Sequence, residues 1–171
     1  MIGFFNFFKK LKLSIPPKRK YLYYDTHTLQ IQKYLKIKNY TVLDTRINEI
    51  NLFIILKVLL DFSSLMKLFK HNIYFIYLCK YIEFVNPKYV INFIDNDVKF
   101  YFFKKYFKEI KFISIQNGLR TEINDIFSKD IFVRSNNLAC DYYLVFNKNI
   151  GKKLSNKINS KYIEFGSLKN N

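Results

Sequence analysis

Short apolar runs ending in polar turns alternate along most of this chain with stretches whose apolar residues recur at helical spacing, the pattern of successive βαβ units. Tyr21 to Tyr24 predicts a first strand that ends at Asp25, and Thr28 to Lys36 a helix. Tyr40 to Leu43 predicts a second strand leading into Asp44, Thr45 and Arg46. Leu52, Ile55, Leu56, Leu59 and Leu60 repeat as one helical face, and the pattern extends through Leu65 and Leu68. A helix over about Asn72 to Val85 must stop before Pro87, because the residue preceding proline is pushed out of helical geometry. Tyr89 to Ile94 is uninterruptedly apolar apart from Asn92, as in a strand covered on both faces.

A helix carrying Val98, Phe102 and Tyr106 follows, with Asp97 placed to cap it, and then a strand at Phe112 to Ile115. Residues 121–137 show no clear period. Tyr142 to Phe146 predicts another strand, and Asn147 a cap for a helix through Leu154. Tyr162 to Phe165 predicts a last strand running into Gly166 and Ser167. The expected fold class is α/β: a Rossmann-like three-layer domain with a mostly parallel sheet.

The first twenty residues differ. Phe4, Phe5, Phe7, Phe8, Leu11 and Leu13 alternate with Lys9, Lys10, Lys12, Lys18, Arg19 and Lys20, with no acidic residue among them. Residues 1–20 therefore read as a basic aromatic leader, set off by Pro16-Pro17. Such a segment is either a short helix lying on an anionic membrane surface or a solvated basic tail.

The formal net charge is +16, yet only four of the 29 basic residues are arginine. Lys, Asn, Ile, Phe and Tyr are all heavily used and Ala139 is the only alanine, a joint skew that follows codon composition. Readers of bases and phosphates favour the planar fork of arginine, so the charge is a poor argument for a nucleic-acid partner. Cys79 and Cys140 form no metal-binding spacing, and no metal is expected. A reduced cytoplasmic setting fits the two isolated cysteines. No Ser/His/Asp triad, P-loop or dinucleotide fingerprint is visible.

Candidate chemistry lies where strands end, since ligands of open parallel sheets bind beyond the carboxyl ends of the strands. Asp95 follows one predicted strand, where its carboxylate can accept a hydroxyl proton or orient a sugar; turn chemistry explains it as well. Gln116, Asn117, Gly118 and Arg120 follow the next. The two amides can both donate and accept, glycine permits positive φ and close approach, and arginine can clamp an anion with two bonds. Thr45 and Arg46 follow the second strand, though a surface salt bridge accounts for Arg46 equally well.

Several segments, in this order, carry a resemblance. They are Val42-Leu-Asp-Thr-Arg46 with Glu49-Ile-Asn-Leu52, Val90-Ile-Asn-Phe-Ile-Asp-Asn96, Phe112-Ile-Ser-Ile-Gln-Asn-Gly-Leu-Arg120, Cys140-Asp-Tyr-Tyr-Leu-Val-Phe-Asn147 and Phe165-Gly-Ser-Leu-Lys-Asn-Asn171. From about Lys20 onward the chain resembles the N-terminal half of the bacterial surface carbohydrate biosynthesis proteins, which are related to two-domain glycosyltransferases of the GT-B type. The resemblance implies that residues 21–171 form the acceptor-side domain of a glycosyltransferase-like protein making surface polysaccharide, at the inner face of the membrane. It implies Asp95 as catalytic base, and Gln116, Asn117, Gly118, Arg120, Thr45 and Arg46 as substrate-binding residues.

The implied partner is a carbohydrate or lipid-linked glycan acceptor. No cofactor is expected for this chain itself, since a nucleotide-sugar donor requires a second domain, supplied by another chain or by a continuation of this one. A catalytically silent carbohydrate-binding or partner-binding module is the alternative. The loop Asp25-Thr-His-Thr departs from expectation, lacking the glycine looked for at a ligand-facing turn.

Overall fold

The structure, a computed structural model, describes residues 10–46, 48–61, 63, 66, 71–118 and 138–168. In chain order the elements are β1 (Leu11–Lys12), β2 (Tyr21–Tyr24), a 3-10 helix (Thr26–Ile31) continuing into α1 (Gln32–Leu35), β3 (Tyr40–Leu43) and β4 (Ile50–Asn51). Then come α2 (Leu52–Leu60), α3 (Ile73–Val85), β5 (Tyr89–Asn92), α4 (Val98–Tyr106), β6 (Lys111–Ile115), β7 (Ala139–Val145), α5 (Lys148–Ser155) and β8 (Asn159–Glu164).

Six strands form one sheet in the order β3-β2-β5-β6-β7-β8, and every pairing in it is parallel. The fold is therefore α/β and Rossmann-like, with helices on both faces of a parallel sheet. Alternation along β2 shows the layering. Leu22 and Tyr24 face a core built with Ile54 of α2, Leu78 and Ile82 of α3, Phe100 and Phe103 of α4 and Leu154 of α5. Tyr23 faces the other side, where Ile91, Phe93 and Ile115 pack with Ile31, α1 and Leu168. Phe100, Phe103 and Phe112 are fully buried, each contributing about 1.5–3 kcal/mol, so α4 is held firmly on the sheet.

Local signals set most boundaries. Asn51, Asn72, Asp97 and Asn147 each accept a backbone N–H at the start of α2, α3, α4 and α5. Asn86, in the left-handed region at φ 48°, ends α3 just before Pro87. The predicted strands are all present, β5 two residues shorter and β7 and β8 three residues longer at their starts. The helix expected from Thr28 is instead a 3-10 segment with a single α-turn. Its tightness follows from Thr28, whose hydroxyl donates to Tyr24 O (2.7 Å) and accepts from Phe93 N (3.2 Å), drawing the segment down between β2 and β5.

Residues 10–20 are joined to the domain. β1 pairs in parallel with β4, Ile50 N donates to Lys10 O (2.7 Å), Asn51 Nδ2 to Ser14 O (2.7 Å) and Thr41 Oγ1 to Pro17 O (2.8 Å). The part of the expected leader before residue 10, the helical pattern at Leu65 and Leu68, and residues 121–137 lie outside the described residues.

Candidate functional site

In the main sheet the first two strands in sequence stand in reversed order, so the direction of winding switches between β2 and β5. The carboxyl ends flanking such a switch are where open α/β sheets bind ligands. Two residues occupy that point. Thr28, wholly buried, bridges the strands as described. Asp25, also 0% exposed, follows β2 with φ 72° and ψ 150°. This is backbone territory essentially reserved for glycine, costing another residue about 1–3 kcal/mol. The turn thus has a glycine-type conformation without a glycine.

What holds Asp25 there is hydrogen bonding. Its N–H donates to Leu43 O (2.8 Å), tying it to the end of β3. Its Oδ1 accepts from His27 N (2.9 Å), and its Oδ2 from Thr45 Oγ1 (2.5 Å) and Arg46 Nε (3.3 Å). Arg46 is about half exposed while its carboxylate partner is fully buried, so the pair is no ordinary surface salt bridge. The carboxylate anchors the guanidinium through Nε, with the side chain still half exposed. Asp44 closes the loop from outside by accepting from Arg46 N (2.8 Å) and Glu49 N (2.9 Å), and Tyr74 Oη donates to Thr45 O (2.6 Å).

The next group lies at the tips of β5, β6 and β7. Asp95 is 2% exposed. Its Oδ1 accepts from Asn117 N (3.3 Å), its Oδ2 from Tyr143 Oη (3.0 Å), and its carbonyl from Tyr101 Oη (2.7 Å). Burial and the neighbouring tyrosine, cysteine and aspartate charges push the Tyr101 hydroxyl well above its ordinary value, so it remains a neutral donor. Gln116 is equally buried: its Oε1 accepts from Phe146 N (2.9 Å), its Nε2 donates to Gly118 O (2.8 Å), and its N–H to Leu144 O (2.9 Å). Asp95 and Gln116 therefore bracket three strand tips together, and their side-chain atoms point inward.

Asn117 is different. Among the described residues its Oδ1 is the buried side-chain polar atom without a hydrogen-bond partner, a feature that needs an explanation in a folded protein. Asp25 and Asn117 are separated by the end of β5, about 10 Å at two strand spacings. Asp97 is the helix cap foreseen from sequence: it accepts from Lys99 N (3.1 Å) and from Tyr24 Oη (2.8 Å).

The structure thus brings Thr45, Arg46, Asp95, Gln116, Asn117 and Gly118 to one edge of the sheet. Arg120 lies outside the described residues. Gly118 does not use the positive φ that glycine permits, and an added Cβ there would meet nothing within 4 Å. Asp25, the centre of the rim, was missed as a site residue. The signal lay in the polar turn after the first strand, whose lack of glycine argued against a ligand there.

Comparison with known proteins bears on the other end of the rim. No curated protein and no solved structure matches the chain. Residues 113–171, about a third of the chain, match a family described as "putative O-antigen biosynthesis protein". The match begins within β6 and takes in Gln116 to Arg120, β7, α5 and β8, a likeness that links the chain at a coarse level to the biosynthesis of surface carbohydrate.

Proposed function

We propose that this chain is the acceptor-side domain of a glycosyltransferase-like protein that builds O-antigen or a related surface polysaccharide, working at the cytoplasmic face of the membrane. The observation that carries the reading is Asp25, a buried carboxylate held in a glycine-type conformation at the strand-order switch with Thr45 and Arg46 fastened to it. Strain of this kind persists only where the surroundings over-determine it, and it concentrates at ligand sites.

Roles follow from exposure and from unmade hydrogen bonds. Arg46, about half exposed, offers charged donors to a phosphate or acidic sugar, and Asn117 Oδ1, buried and unpartnered, is an acceptor for a sugar hydroxyl that seats against it. Asp25, Asp95 and Gln116 are positioning residues, since their oxygens are engaged by the protein. A nucleotide-sugar donor would be held by a second domain, in line with the GT-B resemblance, and this domain would orient the acceptor towards it.

The test is complementation. In cells deleted for the gene, wild-type chain restores the O-antigen ladder on gels of extracted lipopolysaccharide. Arg46→Ala and Asn117→Ala, at wild-type protein levels, reduce that ladder at least tenfold. A full ladder from both variants would overturn the site; normal polysaccharide in the deletion strain itself would overturn the function.

A further inference from the structure

The described surface exposes eleven large apolar residues, and six of them gather around α2: Leu13, Ile15, Leu56, Leu59, Leu60 and Ile73. Leu56 (49% exposed) and Leu60 (84%) are one helical turn apart, and Leu59 (52%) lies beside Leu56 at i,i+3, so they form one stripe. Leu13 and Ile15 flank the start of this helix, where Asn51 Nδ2 holds Ser14 O. A water-soluble domain has no reason to group its exposed leucines in this way.

Between α2 and α3 the stripe opens into a cavity of about 270 Å³ lined by Ile50, Ile55, Val58, Leu59, Ile73 and the rings of Tyr74 and Tyr77. Leu59 and Ile73 belong to both the lining and the exposed set, which makes them the mouth. Two carboxylates join the lining, Asp44 and Glu49, and Lys12 neutralises Glu49 at 3.0 Å. Lys10 and Lys12 run beside Ile50, and Lys57 projects from α2 with its ammonium 5.5 Å from the Phe53 ring. An apolar stripe bordered by lysines on a chain of net charge +16 complements an anionic bilayer.

We infer that α2 is a membrane-seating helix: its leucines enter the acyl region of an anionic bilayer, and the α2–α3 cavity takes part of one lipid chain. The inference stands apart from the sugar-handling reading, because vesicle binding needs no glycan. It differs from attachment through residues 1–9, since the contact element is a helix of the folded domain.

The chain contains no tryptophan, so a single introduced one reports its own surroundings. The full chain is floated with vesicles of equal phosphatidylglycerol and phosphatidylcholine, and with pure phosphatidylcholine. It rises with the anionic vesicles and at least tenfold less with the zwitterionic ones. Leu56→Asp with Leu60→Asp lowers the bound fraction at least tenfold at unchanged thermal midpoint. In Leu56→Trp, emission shifts to the blue on binding and is quenched by lipids brominated along the acyl chain.

The inference is overturned if the chain stays unbound. It is equally overturned if the double aspartate variant binds normally while removal of residues 1–9 abolishes binding, or if the tryptophan is not quenched. A dimer that the double variant disperses, without vesicle binding, would assign the face to a second copy and overturn it too.

Discussion

Replacing Asp25 separates backbone strain from side-chain bonding at one position. Asp25→Ala keeps the unfavourable φ of 72° and removes the acceptor of His27 N, Thr45 Oγ1 and Arg46 Nε. A hydrogen bond to a charged group contributes about 1.5–3 kcal/mol, and the half-exposed Arg46 bond less. The two better-shielded bonds therefore set a loss of roughly 3–6 kcal/mol. Asp25→Gly loses the same bonds but regains the strain, about 1–3 kcal/mol. At an ordinary position glycine is the less stable of the two by roughly 0.4–1 kcal/mol.

The order here is inverted: glycine above alanine, with a melting midpoint higher by up to about 10 °C for a chain of this size. Asp25→Asn keeps the strain but has a single acceptor oxygen, enough for His27 N or for Thr45 Oγ1 and Arg46 Nε but not for both sides, and falls between wild type and alanine. Urea and thermal unfolding followed by circular dichroism measure all three. An alanine variant more stable than the glycine variant, the order of an ordinary position, would show that Asp25 is unstrained and remove the main support for the switch-point site.

Other consequences can be measured on the same protein. Thr28→Val leaves Phe93 N–H buried without its acceptor and is expected to cost about 1–3 kcal/mol in urea unfolding. Burial pushes the Cys140 thiol up to about 12, so alkylation by iodoacetamide at pH 8 followed by mass spectrometry labels Cys79 well before Cys140. For Asp141, burial raises the carboxyl, but Phe112 N–H, Lys104 and Lys111 more than offset it and hold the group below the usual carboxylate range. Its stabilising contribution is thus complete above about pH 4 and is lost as pH falls through the depressed value. Asp141→Asn is less stable at pH 7, and the gap from wild type closes on acidification.

Much of the fold was legible because each buried parallel strand is a short apolar run whose partners need not be known. The caps at Asp97 and Asn147 were legible for a similar reason, being local. What escaped depends on distant contacts. The β1–β4 ladder joins two-residue segments nearly forty positions apart, neither of which carries a strand pattern of its own. The conformation of Asp25 is imposed by Leu43 and Thr45, some twenty residues on, so the sequence around position 25 does not announce it. The inward aim of Asp95 and Gln116 likewise depends on Tyr143 and Phe146, which a reading of their own strand tips cannot supply.

A titration of the 15N-labelled chain with the deacylated O-antigen oligosaccharide of its source cells tests the central assignment most directly. Backbone amide shifts should move at Asp25, Thr45, Arg46 and Asn117 together, saturate with one affinity, and vanish in Arg46→Ala, while amides of α5 and β8 stay in place. An unchanged spectrum, or shifts confined to residues away from the strand tips, would contradict it.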